Sequence, residues 1–202
     1  MIESTTPTTR CPWCAADPLY VAYHDEEWGV AEHDDRALFE KLILDGFQAG
    51  LSWLIILKKR QAFRAAFDDF DPQLIAGYDA RKIDTLLKNA AIVRNRAKIE
   101  ATVGNAQAYL KLKDELGSFD TFLWQFVAGK TRQNRFTHIK ELPPQTSDSE
   151  AMSKALKKRG FRFCGPTICY AFMQAVGMVN DHLVDCFRYR EVIDHCDPRP
   201  NC

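Results

Sequence analysis

The sequence predicts an all-α fold, and three observations carry that expectation. Apolar residues recur at helical spacing along most of the chain, as at Leu38, Phe39, Leu42 and Ile43. No stretch alternates apolar and polar residues long enough to read as a strand, and glycines and capping side chains punctuate the periodic segments at helix length. The chain has 202 residues, 46% of them hydrophobic, which suffices for one ordinary core, and no internal repeat is present.

Residues 1–9 are polar, Thr-rich and aperiodic, and a mobile arm is expected there. Residues 10–29 crowd Cys11, Trp13, Cys14, Tyr20, Tyr23, His24 and Trp28 together with little periodicity, as a segment folded onto something else would. Asp34 or Asp35 can cap the next helix, which the pattern carries to Leu44 and ends at Asp45 and Gly46, where a left-handed position is cheap. Ser52 is the expected N-cap of a second apolar helix that includes Leu57, Phe63 and Phe67. The joint over residues 42–53 thus carries an acid, an amide, a hydroxyl and an indole. A tight turn with a core tryptophan and a ligand-entry site both fit it. A carboxylate at a helix end is expected to contribute little to the core.

Phe70, Asp71 and Pro72 break the pattern, and a helix follows over residues 80–87. Residues 86–97 end that helix and begin another, whose apolar positions 99, 103, 106 and 110 keep the period. A short apolar hairpin between two helices, with Arg94, Arg96 and Lys98 at the second start, resembles a helix-hairpin-helix and can offer backbone N–H groups to a phosphate. A basic helix start is also an ordinary solvated face. Ser118 opens a short helix stopped at Gly129, and residues 142–145 form an extended linker. Ser147 and Glu150 form a capping box for a helix ending on Lys157, Lys158 and Arg159 before Gly160. Gly165 and Pro166 start another helix, which runs through Ala175 and is closed by Gly177.

The 27 basic and 27 acidic side chains cancel, so local patches must carry any contact with nucleic acid. No charged-then-apolar leader opens the chain and no run of 18 apolar residues occurs, which predicts a cytoplasmic protein without membrane contact. Seven cysteines are an odd count in a chain too large to need staples, which favours free thiols or metal ligands over disulfides. His182 and Cys186, four apart, would share one face of a helix, and Cys11, Cys14 and His24 offer three more donors. Five candidates therefore compete for four places. Buried unliganded thiols beside a core histidine remain open, as does a redox pair at Cys11 and Cys14, ranked last because no βαβ pattern accompanies it.

Several stretches together resemble the zinc-containing type I 3-methyladenine DNA glycosylases of bacteria, a branch of the helix-hairpin-helix glycosylases. They are Arg10-Cys11-x-Trp13, Tyr23-His24-Asp25-x-Glu27-Trp28-Gly29, Gln48-Ala49-Gly50-Leu51-Ser52-Trp53, residues 154–163, Thr167-Ile168-Cys169-Tyr170 and Val179-Asn180-Asp181-His182. They fall in one order, implying a single glycosylase domain over residues 10–188 and a tail over 189–202. The resemblance implies a structural zinc held by Cys11, His24, His182 and Cys186, which ties the two ends together and leaves Cys14 spare. It implies that Tyr23 and Trp53 enclose an extruded alkylated adenine, that Gly50 and Leu51 press into double-stranded DNA, and that Arg94, Arg96 and Lys98 grip phosphates. The implied activity is base-excision repair: hydrolysis of the N-glycosidic bond of 3-methyladenine by a monomer, with water attacking C1′ and no lysine placed to form a Schiff base. Stacking favours the cationic base over the neutral one by about 0.5–2 kcal/mol.

The family usually has glutamate where this chain has Asp45, the acceptor for the base's exocyclic amine and a candidate for charge stabilisation. Aspartate is shorter by one carbon-carbon bond, about 1.5 Å. Ala91 and Ala97 also stand where the family's hairpin often has glycine. Two rival readings follow: a glycosylase for a different alkylated purine, and a non-catalytic binder of damaged DNA.

Overall fold

The structure is a computed structural model that describes residues 8–194. Most of the expected arm (1–7) and the end of the expected tail (195–202) lie outside the described residues. Within them the chain is mainly helical, with one short parallel ribbon of two strands.

A 3-10 turn, Pro12–Cys14, precedes α1 (Pro18–Glu26), which Asp17 caps by accepting from the Leu19 amide. Helix α2 (Asp35–Gln48) begins at Asp34, whose carboxylate accepts from the Arg36 and Ala37 amides. It buries Leu38, Phe39, Leu42, Ile43, Leu44 and Phe47 and is packed on several sides by α3 (Trp53–Ala66), α6 (Arg96–Leu116), α7 (Phe119–Trp124) and α9 (Pro166–Ala175). Phe47, Phe63, Phe67 and Phe70 follow one another at ring separations of 4.7, 6.1 and 5.8 Å, and each is essentially inaccessible. Burying each such side chain contributes about 1.5–3 kcal/mol, so this column anchors α3 to α2. Short helices α4 (Pro72–Ala76) and α5 (Ala80–Lys88) pack on α6, and α8 (Ser147–Lys158) packs on α9. Strands β1 (Arg132–Gln133) and β2 (Val179–Asn180) pair in parallel, and α10 (Phe187–Asp194) closes the described chain.

Several local expectations shift. Helix α2 does not stop at Asp45 and Gly46 but runs through them to Gln48. Gly46 is a packing glycine, since a Cβ there would stand 3.3 Å from the Cβ of Phe163. The chain reverses instead at Gly50, where φ is +82°. Ser52 precedes α3 as expected, but its hydroxyl makes no capping bond. The capping box of α8 lies one residue earlier than Ser147, between Thr146 and Ser149. Gly177 does close the segment after α9, at φ +71°, and a Cβ there would lie 2.5 Å from the Ala31 amide nitrogen. Helix α10 begins at Phe187 and carries ordered structure into the segment expected as a tail. Tyr189 accepts at its carbonyl from Asn180 (3.0 Å) and donates its hydroxyl to the Asn134 carbonyl (2.9 Å).

Candidate active site

Two features lie side by side: an aromatic pocket and a buried Cys/His cluster. The pocket, a cavity of about 240 Å³, is walled by Trp13, Tyr20, Tyr23 and Trp28 from the N-terminal segment, by Asp45 of α2 and by Trp53 at the start of α3. Trp13 packs edge-on against Tyr20 and Trp28 at centroid separations of 5.0 and 4.9 Å. Tyr23 and Trp53 meet at 5.5 Å with their planes tilted by 45°, so they form a corner rather than two parallel plates. Burial pushes the Tyr23 phenol well above its usual range and keeps it protonated. A neighbouring cavity of about 260 Å³ shares Tyr23, Lys41 and Trp53, but Asp45 does not line it. Four of its charges pair with one another, Arg60 with Glu27 and Arg64 with Glu40.

Asp45 is 2% exposed, because α2 continues past it and turns its side chain inward. Its Oδ1 accepts from the Lys41 ammonium at 2.5 Å, one helical turn away, and its Oδ2 is buried with no partner. The Lys41 Nζ also lies 3.9 Å from the centroid of the Trp53 ring. Burial raises the Asp45 carboxyl and lowers the Lys41 ammonium, and each opposes the shift in the other. Among the described residues four buried side-chain N or O atoms lack a hydrogen-bond partner, and three of them, Asp45 Oδ2, Trp13 Nε1 and Trp53 Nε1, belong to residues lining this one pocket. An unmade bond to a buried polar group costs about 1–3 kcal/mol, so three on residues that line one cavity mark a place suited to a ligand with matching groups.

Beyond the pocket mouth Gly50 and Leu51 form an exposed tip, where the Leu51 carbonyl accepts from Gln48 Nε2 at 2.8 Å. Lys98 stands at its base. This side chain is 8% exposed and donates to the carbonyls of Phe47 (2.8 Å) and Ala49 (2.7 Å), thereby serving the last turn of α2. Arg94 is exposed on the connection from α5 to α6 and Arg96 at the first position of α6, where it reaches Asp84 and Glu100. Asn95 caps α6 by accepting from the Lys98 amide, while Asn89 accepts from the Ala91 amide. The three cations expected together therefore divide into two at the surface and one inside.

The cluster draws Cys11 from ahead of the 3-10 turn, His24 from α1, and His182 and Cys186 from the turn between β2 and α10. All four are buried, with ligand atoms within 4.8 Å of one another. His182 and Cys186 do not share a helix; a turn closed by the Cys186 amide on the Leu183 carbonyl (2.8 Å) brings them together. Cys11 and Cys186 titrate together: hydrogen bonding from the Cys11 thiol, and then from the two imidazoles, lowers the Cys186 thiol, while the same bond and burial raise Cys11, so the pair favours a single thiolate at Cys186. Each imidazole is oriented through its other nitrogen, His24 by Asp25 Oδ1 (2.7 Å) and His182 by the Trp28 carbonyl (3.0 Å). Cys14 lies outside the cluster, its Sγ donating to the Cys11 carbonyl. The cluster also supports the pocket, since Trp13 and Trp28 pack on His24 and His182 at 5.3 and 4.6 Å. The buried Asp181 fastens the same turn by accepting from Tyr170, Gln174 and Asn134.

Lys41 and the wall tryptophans Trp13 and Trp28 were not legible as pocket residues. The signal for Lys41 was present, a basic residue four before Asp45, but it carries meaning only once α2 is read through Gly46.

A helical protein with an aromatic, acid-bearing pocket, an exposed Gly-Leu tip and two exposed arginines where α5 leads into α6 has the parts of an enzyme that works on a base drawn out of nucleic acid. Comparison with known proteins narrows the class. The methyladenine glycosylase family profile matches residues 13–189, and the chain belongs to that family. It is 51% identical over 180 residues to DNA-3-methyladenine glycosylase 1 of Escherichia coli K12, covering 89% of this chain and 96% of that one. The DNA-3-methyladenine glycosylase of Haemophilus influenzae is likewise 51% identical, over 89% of this chain and 97% of its own. The crystal structure of a Tyr-to-Phe variant of 3-methyladenine DNA glycosylase I in complex with 3-methyladenine superimposes with a TM-score of 0.86 at 41% identity, covering 88% of this chain and 96% of that one.

Proposed function

We propose that this chain is a monofunctional DNA glycosylase of base-excision repair that hydrolyses the N-glycosidic bond of 3-methyladenine in alkylated double-stranded DNA. One observation carries the reading furthest. Asp45, whose Oδ2 is buried and unpartnered, lines the aromatic pocket together with Trp13, Tyr23, Trp28 and Trp53. A base methylated at N3 is cationic and offers an exocyclic amine, so it supplies both a charge for the ring faces and a donor for Asp45 Oδ2. Its charge makes it a ready leaving group. The chain's own residues then have to bind, orient and exclude, while water attacks C1′.

In this reading Leu51, raised on the positive-φ turn at Gly50, fills the gap left by the extruded nucleotide. Arg94, Arg96 and the first amides of α6 receive phosphates in a helix-hairpin-helix arrangement formed with α5. Lys98 serves that contact indirectly, by bracing the turn that carries Leu51. Cys11, His24, His182 and Cys186 hold a structural zinc. Zinc bonds of about 2.0–2.3 Å in a tetrahedron require ligand separations of about 3.5 Å. Separations of 3.4 Å from Cys186 Sγ to His24, 3.6 Å from Cys186 Sγ to His182 and 3.7 Å from Cys11 Sγ to His182 support that reading, within a set whose four ligand atoms all lie within 4.8 Å of one another. When bound, the ion supplies a cross-link between the chain's two ends and takes no part in bond cleavage. We assign the enzyme to the cytoplasm as a monomer. The five described cysteines are free, which suits a reducing compartment, and no helix among the described residues is long and apolar enough to cross a membrane.

The test is incubation of the purified protein with methylated duplex DNA and chromatography of the released bases. Release of 3-methyladenine, with the strand left intact at the abasic site, is the expected result. Release of another methylated purine alone would transfer the reading to that base, and binding without release would make the protein a damage binder.

A further inference from the structure

We infer that Lys41 is a positioning residue for base recognition: it holds Asp45 by Oδ1 and thereby presents Oδ2 to the extruded base. The inference deepens the glycosylase reading and rests on it. Lys41 lies one turn before Asp45 on α2, and its Nζ bridges the two groups that meet the base, at 2.5 Å from Asp45 Oδ1 and 3.9 Å from the Trp53 centroid. The pair is poorly placed to stabilise the helix. Its acid sits in the last turn of α2, against the dipole, and the order Lys then Asp is the weaker one for a pair four apart. Both side chains are nonetheless withdrawn from water, to 16% and 3% exposure. A costly buried pair that does little for its own helix points to work at the pocket it lines.

Other charges do not perform this service. Tyr20, Tyr23, Glu26 and Glu27 from α1 and its end, Glu32, Glu40 on α2, and Arg60 and Arg64 from α3 line the two cavities with the pair, and the Cys169 thiol of α9 also feels the Asp45 charge. Arg60 is engaged by Glu27, and the Tyr23 phenol and Cys169 thiol are pushed up by burial and stay neutral. Among the described residues Lys41 is therefore the one cation that bonds Asp45, opposing the upward shift that burial imposes on the carboxyl. A lone aspartate with both oxygens free can rotate or take up a proton. Lys41 suppresses both, which matters most for an acid one bond shorter than glutamate.

The experiment compares wild type with Lys41→Met, Lys41→Gln and Lys41→Arg. Single-turnover release of 3-methyladenine from methylated duplex DNA is followed across the pH range, and the Asp45 carboxyl is titrated by 13C NMR in the free proteins. Lys41→Met is expected to lose about tenfold or more in excision at neutral pH, as for a weakened charged hydrogen bond. Its acid limb should move to higher pH, together with the Asp45 titration. Lys41→Gln, which can still bond Oδ1, should recover rate but not the limb, and Lys41→Arg should recover both. If Lys41→Met does not fold, the contrast between Gln and Arg decides. A wild-type limb and titration in the uncharged variants overturn the inference, as does faster excision, which would make Lys41 a competitor of the cationic base. Borohydride trapping of Lys41 on abasic DNA would make it a nucleophile and also overturn it. Should wild type release no 3-methyladenine, the substrate reading fails, while the NMR titration still tests the link from Lys41 to Asp45.

Discussion

Replacing Asp45 by alanine should damage the fold and the chemistry by separable amounts. The sequence alone places this acid at a helix end, where its loss would cost the core little, but the structure buries it at 2% exposure against Lys41. Asp45→Ala leaves an ammonium stranded in that site. Breaking a buried pair by removing one partner costs about 3–5 kcal/mol, and the lower end applies because Lys41 keeps its contact with Trp53 and can shed its proton. Excision should fall by a lost charged hydrogen bond, about 1.5–3 kcal/mol or roughly ten- to a hundredfold. The double variant Asp45→Ala with Lys41→Met separates the two effects. Removing both charges should return stability to within about 1 kcal/mol of wild type, while excision stays low. Urea unfolding followed by circular dichroism gives the first quantity and single-turnover release of 3-methyladenine the second. Two results would refute the reasoning: an Asp45→Ala variant as stable as wild type, which would show that the pair carries no strain, or a double variant that regains excision, which would remove Asp45 from base recognition.

Metal analysis of the purified protein should find about one zinc per chain, and Cys11→Ser should lower both the metal content and the melting temperature while Cys14→Ser leaves them nearly unchanged; metal loss from Cys14→Ser alone would reverse the ligand assignment. Because Trp13 and Trp28 pack on the cluster's histidines, chelation should also alter tryptophan fluorescence and weaken binding of 3-methyladenine. Arg94→Ala and Arg96→Ala should weaken binding to damaged and undamaged DNA alike and lower the salt slope by about 0.9 per lost phosphate contact. Lys98→Met should act differently, loosening the turn at residues 49–51 and lowering stability with little change in salt slope; equal slopes for the arginine variants and wild type would move the phosphate site elsewhere.

The regular parts of this fold were legible and the irregular parts were not, for a physical reason. Helices announce themselves through their period, and α2, α3, α5, α6 and α9 all occur where the period places them, with the expected Asp34 cap made at the start of α2. Gly46 misled because glycine serves two ends: it tolerates positive φ at a helix stop, and it lets a neighbour approach inside a helix, here Phe163. The error spread from one residue, because a helix that stops at Asp45 hides the partnership with Lys41. His182 and Cys186 misled in the opposite sense. Their spacing suits one face of a helix, but a turn gives the same convergence, and spacing alone cannot tell them apart. Lys98 shows the limit of reading charge from a sequence. A lysine in the first turn of a helix opposes the dipole, a local conflict that a phosphate would relieve, but here the carbonyls ending α2 relieve it instead. The cation that reads as a hand for DNA is thus already used to hold the turn that carries Leu51. The pocket-side acid and the Gly50-Leu51 tip are accordingly held at α2 by two lysines, Lys41 and Lys98, each spending its charge inside the protein.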